Sequence, residues 1–411
     1  MGFFGVPLSG LVASESALNA VSNNLANLNT TGYKDQNATF SDVFAQSSLL
    51  NGVGNPLQQG LGVKVSQLDS NFTDGAQTAT GVSSNMALAG NGLFVTQAKN
   101  GNTDYTRAGD FTTNAQGQLV TPSGNLVMGY PAVNGKVSTT STLQPLVINQ
   151  GTELPASATT TFNLGVNLSA GATPGTTFSS TLPVYDSLGT QQQLSVTYTN
   201  TGANTWTYSV NMPTSATGAT STQVASGTLQ FDSKGNLTSP TGSIAVTVPT
   251  LADGAAPLKL TWNLDDSAGN PTITQNSAAS ATTAATQDGY QSGTLTSYSV
   301  TSDGTIDGTF SNGQTMALGQ VALANFANVQ GLLQLGGNEY QATAASGTAI
   351  VGTAGTGGLG TITGGSVEGS NVDVATEFGK MIVAQQGYQA NARSITTLNQ
   401  LEQTTMQMLQ G

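Results

Sequence analysis

Three groups of residues in this chain have types and spacings that chemistry uses. Gly355-x-Gly357-x-x-Gly360 matches the dinucleotide fingerprint letter for letter, in which glycines bring a pyrophosphate against a helix N-terminus. Asp265 and Asp266 are paired carboxylates, the groups that divide acid and base work in glycoside hydrolysis. Asp303 and Asp307 each precede a glycine, a spacing to be weighed against a calcium loop. Each fails in its context. The fingerprint needs a helix opening at its glycines inside a βαβ unit, whereas the helical pattern here starts only near Val372. The glycines therefore read as a linker. Neighbours on a strand point to opposite faces, so Asp265 and Asp266 cannot flank one bond. The D-x-D-x-D-G loop is absent, and turn capping accounts for Asp303 and Asp307.

The chain has no histidine and no cysteine. That removes the commonest general base, the serine-triad base, thiolate metal sites and disulfide frameworks. The sequence is not that of an enzyme: it carries no catalytic residues, no metal ligands and no cofactor site. Missing thiols suit a reducing cytoplasm or an exported chain that avoids crosslinks. Of 411 residues, 37% are apolar and 7% charged, against a usual charged share of about a quarter. There is room for two or three domains with cores, and the surface must be Ser, Thr, Asn, Gln and Gly. Such a surface suits packing beside copies of itself. A net charge of −12, with nine Lys and Arg scattered singly, excludes nucleic acid as a partner and serves solubility. No apolar run reaches membrane-spanning length. The start, Met1-Gly-Phe-Phe-Gly-Val-Pro, lacks the charged region and cleavage site of a secretory leader, so export would take another route.

The elements that organise the chain lie at its two ends. From Ser370 onward, Val374, Phe378, Met381, Tyr388, Ile395, Leu398, Met406 and Leu409 recur at helical spacing, an apolar stripe on one long helix. Ser370 with Asp373 reads as its capping box. Near the start, Leu8, Leu11, Leu18, Val21, Leu25 and Leu28 form a second stripe, opened by Pro7 and stopped at Gly32. Such stripes usually pack on a protein's own core. Two of them flanking a β-rich middle instead predict helices that pair and keep apolar surface for neighbouring copies.

Between the helices, residues 32–70 read as an extended connector, glycine-rich over 49–62. Strand patterns follow. Alternation is clearest at Phe162–Leu168, Leu194–Tyr198, Trp206–Met212, Ile244–Val248 and Leu258–Leu264, and it predicts antiparallel strands buried on one side. Turns such as Asp186-Ser-Leu-Gly, Asp232-Ser-Lys-Gly-Asn and Asp266-Ser-Ala-Gly-Asn separate them. The expected class is mainly β with α-helical termini: coiled-coil-like helices at 1–31 and 367–411, an inner β domain at 71–147 and 286–366, and an outer β domain at 148–285 inserted in it. A second glycine-rich stretch, 352–365, reads as a linker, and the two glycine-rich stretches as hinges.

Several motifs resemble the flagellar rod and hook axial protein family. They are Ser22-Asn-Asn-Leu-Ala-Asn-Leu-Asn-Thr-Thr-Gly-Tyr-Lys34, Tyr105-Thr-Arg-Ala-Gly-Asp-Phe111 with Gly117-Gln-Leu-Val120 and Gly129-Tyr130, and Tyr388-Gln-Ala-Asn-Ala392. Val184-Tyr-Asp-Ser-Leu-Gly189 and the stretch from Asp288-Gly-Tyr to Leu318-Gly-Gln-Val-Ala-Leu-Ala-Asn-Phe326 resemble its hook members in particular. Asn399 departs from the family, where an acidic residue is usual after the Thr pair. The resemblance implies export through the flagellar secretion channel and polymerisation at the growing tip into a curved, bendable tube that carries torque from rod to filament. It implies as partners further copies of itself, the distal rod, hook cap and hook–filament junction proteins, and the export apparatus. The alternatives are a distal rod subunit, which should lack the large β insert, and a secreted β-rich adhesin, which would not explain the paired termini.

Overall fold

The computed structural model describes residues 5–50, 56–149, 151–218 and 222–410, with the side chains of 45–50, 56–59, 409 and 410 outside the description. A helix stands at each end, Gly5–Ala26 and Val374–Gln410. The described regular structure between them is strand, apart from two single turns of helix at Thr214–Thr217 and Val329–Gly331. The chain divides into two compact units. One comprises Met1–Asn149, Tyr298–Gly308 and Met316–Gly411; the other comprises Gln150–Ser297 with Thr309–Thr315. The second is an insertion in the first, set slightly later than the expected 148–285.

The inserted unit is built from two five-stranded sheets. One runs in the order Ser243–Val248, Leu258–Asn263, Thr161–Ser169 and Ile273–Asn276, with Ala281–Gln287 also on Thr161–Ser169. The other runs Thr177–Tyr185, Gln191–Gly202, Thr205–Asn211, Gln223–Phe231 and Leu237–Ser239. Along Thr205–Asn211 the side chains of Trp206, Tyr208 and Val210 are buried and those between them are not, the two-residue period of a strand with one covered face. Trp262 centres the core, stacked on Phe162 at 5.8 Å and edge-on to Tyr208 at 5.4 Å.

One expectation is corrected in this unit. Thr161–Ser169 pairs parallel with both Leu258–Asn263 and Ile273–Asn276. Alternation reports which face is covered, not strand direction, and this strand is buried on both faces over Leu164–Leu168, as parallel strands are. The aspartate turns are as read. Asp232 Oδ1 accepts the N–H groups of Lys234 and Asn236, both at 2.8 Å, and Asp266 Oδ1 those of Ala268 and Asn270, both at 2.9 Å. Asp266 thus closes its own turn.

In the other unit, Leu126–Val133, Leu93–Gln97, Thr103–Thr106, Glu339–Gln341 and Leu333–Gly336 lie side by side as antiparallel neighbours. Two of the predicted loops are folded. Over the described part of 32–70, Gln36–Leu50 and Pro56–Ser70 pair as a long antiparallel hairpin; residues 51–55 of the glycine-rich stretch lie outside the described residues. Gly60 and Gly62 stand opposite Phe44 and Val43 in that ladder, so the glycines that read as a loop signal belong to a strand. The stretch 352–365 is not a free linker either. Ile350–Gly352 pairs with Leu323–Asn325 and Thr361–Gly364 with Met86–Ala89. The fingerprint glycines form the turn between them, closed by Gly355 N–H to Gly360 O at 2.8 Å. A Cβ on Gly360 would lie 2.0 Å from Ala89 O, so close approach of two backbones explains that glycine.

Candidate assembly surface

The two helices rise from a root in which three buried charges meet, Lys34, Arg107 and Glu368. Lys34 Nζ donates to Glu368 Oε1 at 2.7 Å and to Thr73 O at 2.6 Å. Arg107 Nε donates to Glu368 Oε2 at 2.5 Å, and its two terminal nitrogens reach Asp74 and the carbonyls of Leu88, Gly90 and Gly92 at 2.7 to 3.0 Å. Lys34, Arg107 and Glu368 have almost no exposed side-chain surface. Burial pulls the Lys34 ammonium below its usual range, against the opposing pull of Glu368. Desolvating these charges is costly, and the geometry offsets it only because nearly every donor is satisfied. Gly32 makes the approach possible. Its φ is +67° and a Cβ would lie 2.5 Å from Ala108 N, which only glycine tolerates.

Asn24 binds the N-terminal helix to the first hairpin strand as a strand residue would. Its Oδ1 accepts Gln36 N–H and its Nδ2 donates to Gln36 O, each at 2.9 Å. The same amide nitrogen lies 2.9 Å from Glu377 Oε2 on the C-terminal helix. Glu377 Oε1 pairs with Lys380 at 2.6 Å, and Lys380 also donates to Asn37 Oδ1 at 2.6 Å. Tyr33 donates to Asn24 Oδ1 at 3.1 Å. Its hydroxyl is pushed up to about 12 by burial first and then by Asp35 and Glu377. The C-terminal helix is capped one turn later than read. Asp373, not Ser370, is the N-cap, its Oδ1 accepting Thr376 N–H at 2.7 Å.

Above the root the helices run antiparallel. Asn24 meets Glu377, Ser14 lies against Gly387, and Gly10 against Asn391. A Cβ on Gly10 would come within 2.7 Å of the Asn391 amide, and one on Gly387 within 3.1 Å of Ser14 Oγ. The buried seam is made of small residues, Ala13, Ala20 and Ala384 among them. Continued in that register, Gly5 comes level with Thr396. Residues 397–410 then run on for about 20 Å, and every described side chain from Asn399 to Met408 is exposed.

The predicted stripe residues are mostly outside this seam. Val21 is buried. Leu11, Leu18, Leu25, Met381, Ile395 and Leu398 are half-buried, as is Leu28, which falls in the turn after the helix. Leu8, Val374, Phe378, Tyr388 and Met406 are exposed, with Phe378 at 52% and Met406 at 56%; the side chain of Leu409 lies outside the described residues. Leu401, which widens the stripe beside Leu398, is exposed at 59%, and Ile382 and Val383, not singled out from the sequence, are exposed at 54% and 69%. What sequence reading missed was the small-residue stripe beside the leucines. Gly10, Ala13, Ala17, Ala20 and Asn24 recur at helical spacing, and Glu377, Ala384 and Asn391 do so every seven residues. Lys34 and Arg107 lay inside quoted motifs, but their common partner Glu368 did not.

Among the described residues, no helix is long and apolar enough to cross a membrane, and no three acidic side chains gather as a metal cluster would require.

Four family models match successive parts of the chain: Flagella basal body rod protein at 6–34, Flagellar hook protein FlgE/F/G D1 domain at 87–164, Flagellar basal body protein FlaE D2 domain at 154–290, and Flagellar basal body rod FlgEFG protein C-terminal at 363–408. The flagellar hook protein FlgE of Salmonella typhimurium is 37% identical over 98% of this chain and 99% of its own length. That of Treponema pallidum is 32% identical over 99% and 98%. In fold, the chain is similar to the crystal structure of Helicobacter pylori flagellar hook protein FlgE2, with a TM-score of 0.54 at 18% identity, over 69% of this chain and 98% of that one.

Proposed function

The chain belongs to the flagellar hook protein family, and from that premise we propose that its terminal helices are the joints through which copies polymerise. The protein is a structural subunit of the flagellar hook, the curved tubular joint between rod and filament. A distal rod subunit and a secreted adhesin are not favoured, because hook proteins align with the chain over nearly its whole length. One observation carries the joining role. The seam within the chain is filled by small residues, while Leu8, Phe378, Ile382, Tyr388, Leu401 and Met406 remain outside it. Burying a large apolar side chain stabilises by about 1.5–3 kcal/mol when complete, so each half-exposed one holds back part of that for a neighbour. Contacts between different patches of successive copies give an open helical polymer.

The same premise supports a set of neighbours at the ends of the fibre: the distal rod, the hook cap and the hook–filament junction proteins. It also supports delivery through the flagellar export apparatus rather than by a cleaved leader. The test uses purified protein. Full-length chains should form tubes in electron micrographs, and chains lacking residues 370–411 should stay monomeric. Phe378→Ser with Ile382→Ser, which leaves the seam intact, should also stop assembly while the helix signal persists. Normal tubes from both variants would refute the joining role.

A further inference from the structure

An apolar groove of about 710 Å³ runs beside the helical seam where three elements meet. Ala17 and Ala20 of the N-terminal helix, Ala38 and Phe40 of the hairpin, and Val383 and Gly387 of the C-terminal helix line it. Small side chains on the helices leave the space, and nothing large from the described part of the chain fills it. Its one charged lining residue is Lys380. Two of the three ammonium hydrogens serve Asn37 and Glu377, which leaves one donor without a partner among the described residues on a side chain 39% exposed.

The overhanging end of the C-terminal helix has the opposite character. Leu398, Leu401 and Met408 recur at spacings of three and seven, one seam of large apolar residues, with Leu401 59% and Met408 77% exposed. Its one charge is Glu402, next to Leu401 on the helix. We infer that the groove receives the 397–410 overhang of a second copy, with Leu401 seated among the alanines and Glu402 beside Lys380. Groove and overhang are different surfaces of one chain. A copy that fills its neighbour's groove still has its own groove open, so the contact propagates rather than closing into a dimer. This inference rests on the joining role of the helices and specifies which surfaces join.

The absence of cysteine makes a direct test available. Val383→Cys and Leu401→Cys in one chain lie on the same helix about 27 Å apart, beyond the reach of an internal disulfide. Fibres of this variant, oxidised and then denatured without reductant, should give a ladder of linked chains. Monomers alone would overturn the inference, as would a ladder from Val383→Cys paired with Leu8→Cys instead, which would make the N-terminal helix of the neighbour the occupant. Ala38→Leu fills the groove from the hairpin side, away from the helical seam. It should raise the protein concentration needed for assembly about tenfold or more with helix content unchanged, and an unaltered threshold would overturn the inference. Either failure leaves the joining role standing, because that role is tested separately by removal of residues 370–411.

Discussion

At the scale of single residues, Glu368 holds the most consequential position. It neutralises two buried cations at once, Lys34 and Arg107, and also accepts Gly75 N–H at 2.7 Å. Glu368→Gln should cost about 3–5 kcal/mol, the range for removing one partner of a buried pair, read as a fall in the urea midpoint. Asp104 is the opposite case. It is 3% exposed, and its Oδ1 has no hydrogen-bond partner among the described residues. Burial first, and Glu339 second, push its carboxyl above the usual range. A folded value raised above the unfolded one means a contribution present below about pH 4 and lost as pH rises through the folded value. Asp104→Asn should therefore raise stability at neutral pH by about 1 kcal/mol, and denaturation curves of variant and parent should converge toward pH 4. The turn aspartates work in the other direction. Backbone N–H bonds, from Asn236 and Asn270 above all, draw Asp232 and Asp266 down, so their contribution is present above pH 4 and fades as acid is added.

At the scale of elements, the helical seam depends on the absence of side chains at two glycines and tolerates one at a third. Gly10→Leu would drive a side chain into Asn391 and should cost about 1–3 kcal/mol through overpacking. Gly379 has nothing within 4 Å of its missing Cβ, so Gly379→Ala should add about 0.5–1 kcal/mol of helix stability. Thermal melts followed at 222 nm would register both signs. The contrast also shows what was legible beforehand. Phe162, Leu164, Trp206, Tyr208 and Trp262 disclosed their strands because a covered face imposes a two-residue period on apolar side chains. The terminal helices disclosed themselves through their large apolar residues, leucines at the start and Phe378, Met381, Tyr388 and Ile395 among others at the end. The seam did not, because Gly10, Ala13 and Ala17 bury little area and leave no hydropathy signal. The 352–365 turn was read as free chain for a related reason. Glycine marks both mobility and tight backbone contact, and only Ala89 O against Gly360 tells which applies. The root was illegible for a third reason: Lys34 and Glu368 are partners brought together by the fold and by no local spacing.

At the scale of the molecule, the two units have separate apolar cores, one around Trp262 and Tyr198, the other around Tyr105, Phe326 and Tyr340. Units that bury their surface independently unfold independently unless a large interface couples them. Calorimetry of the monomer should resolve two transitions, and Glu368→Gln should move one of them while leaving the other in place. A single transition that shifts as a whole would mean the units are one cooperative body.

The bond between Lys34 and Glu368 spans 334 positions of sequence. A closure that long comes late, after shorter loops have formed. While either end of the chain is missing, one half of that bond is missing and the base of the helix pair stays open. A copy that stops short of Glu368 leaves Lys34 and Arg107 without the carboxylate that neutralises both, so the base of the helix pair depends on the two ends of the chain being present together.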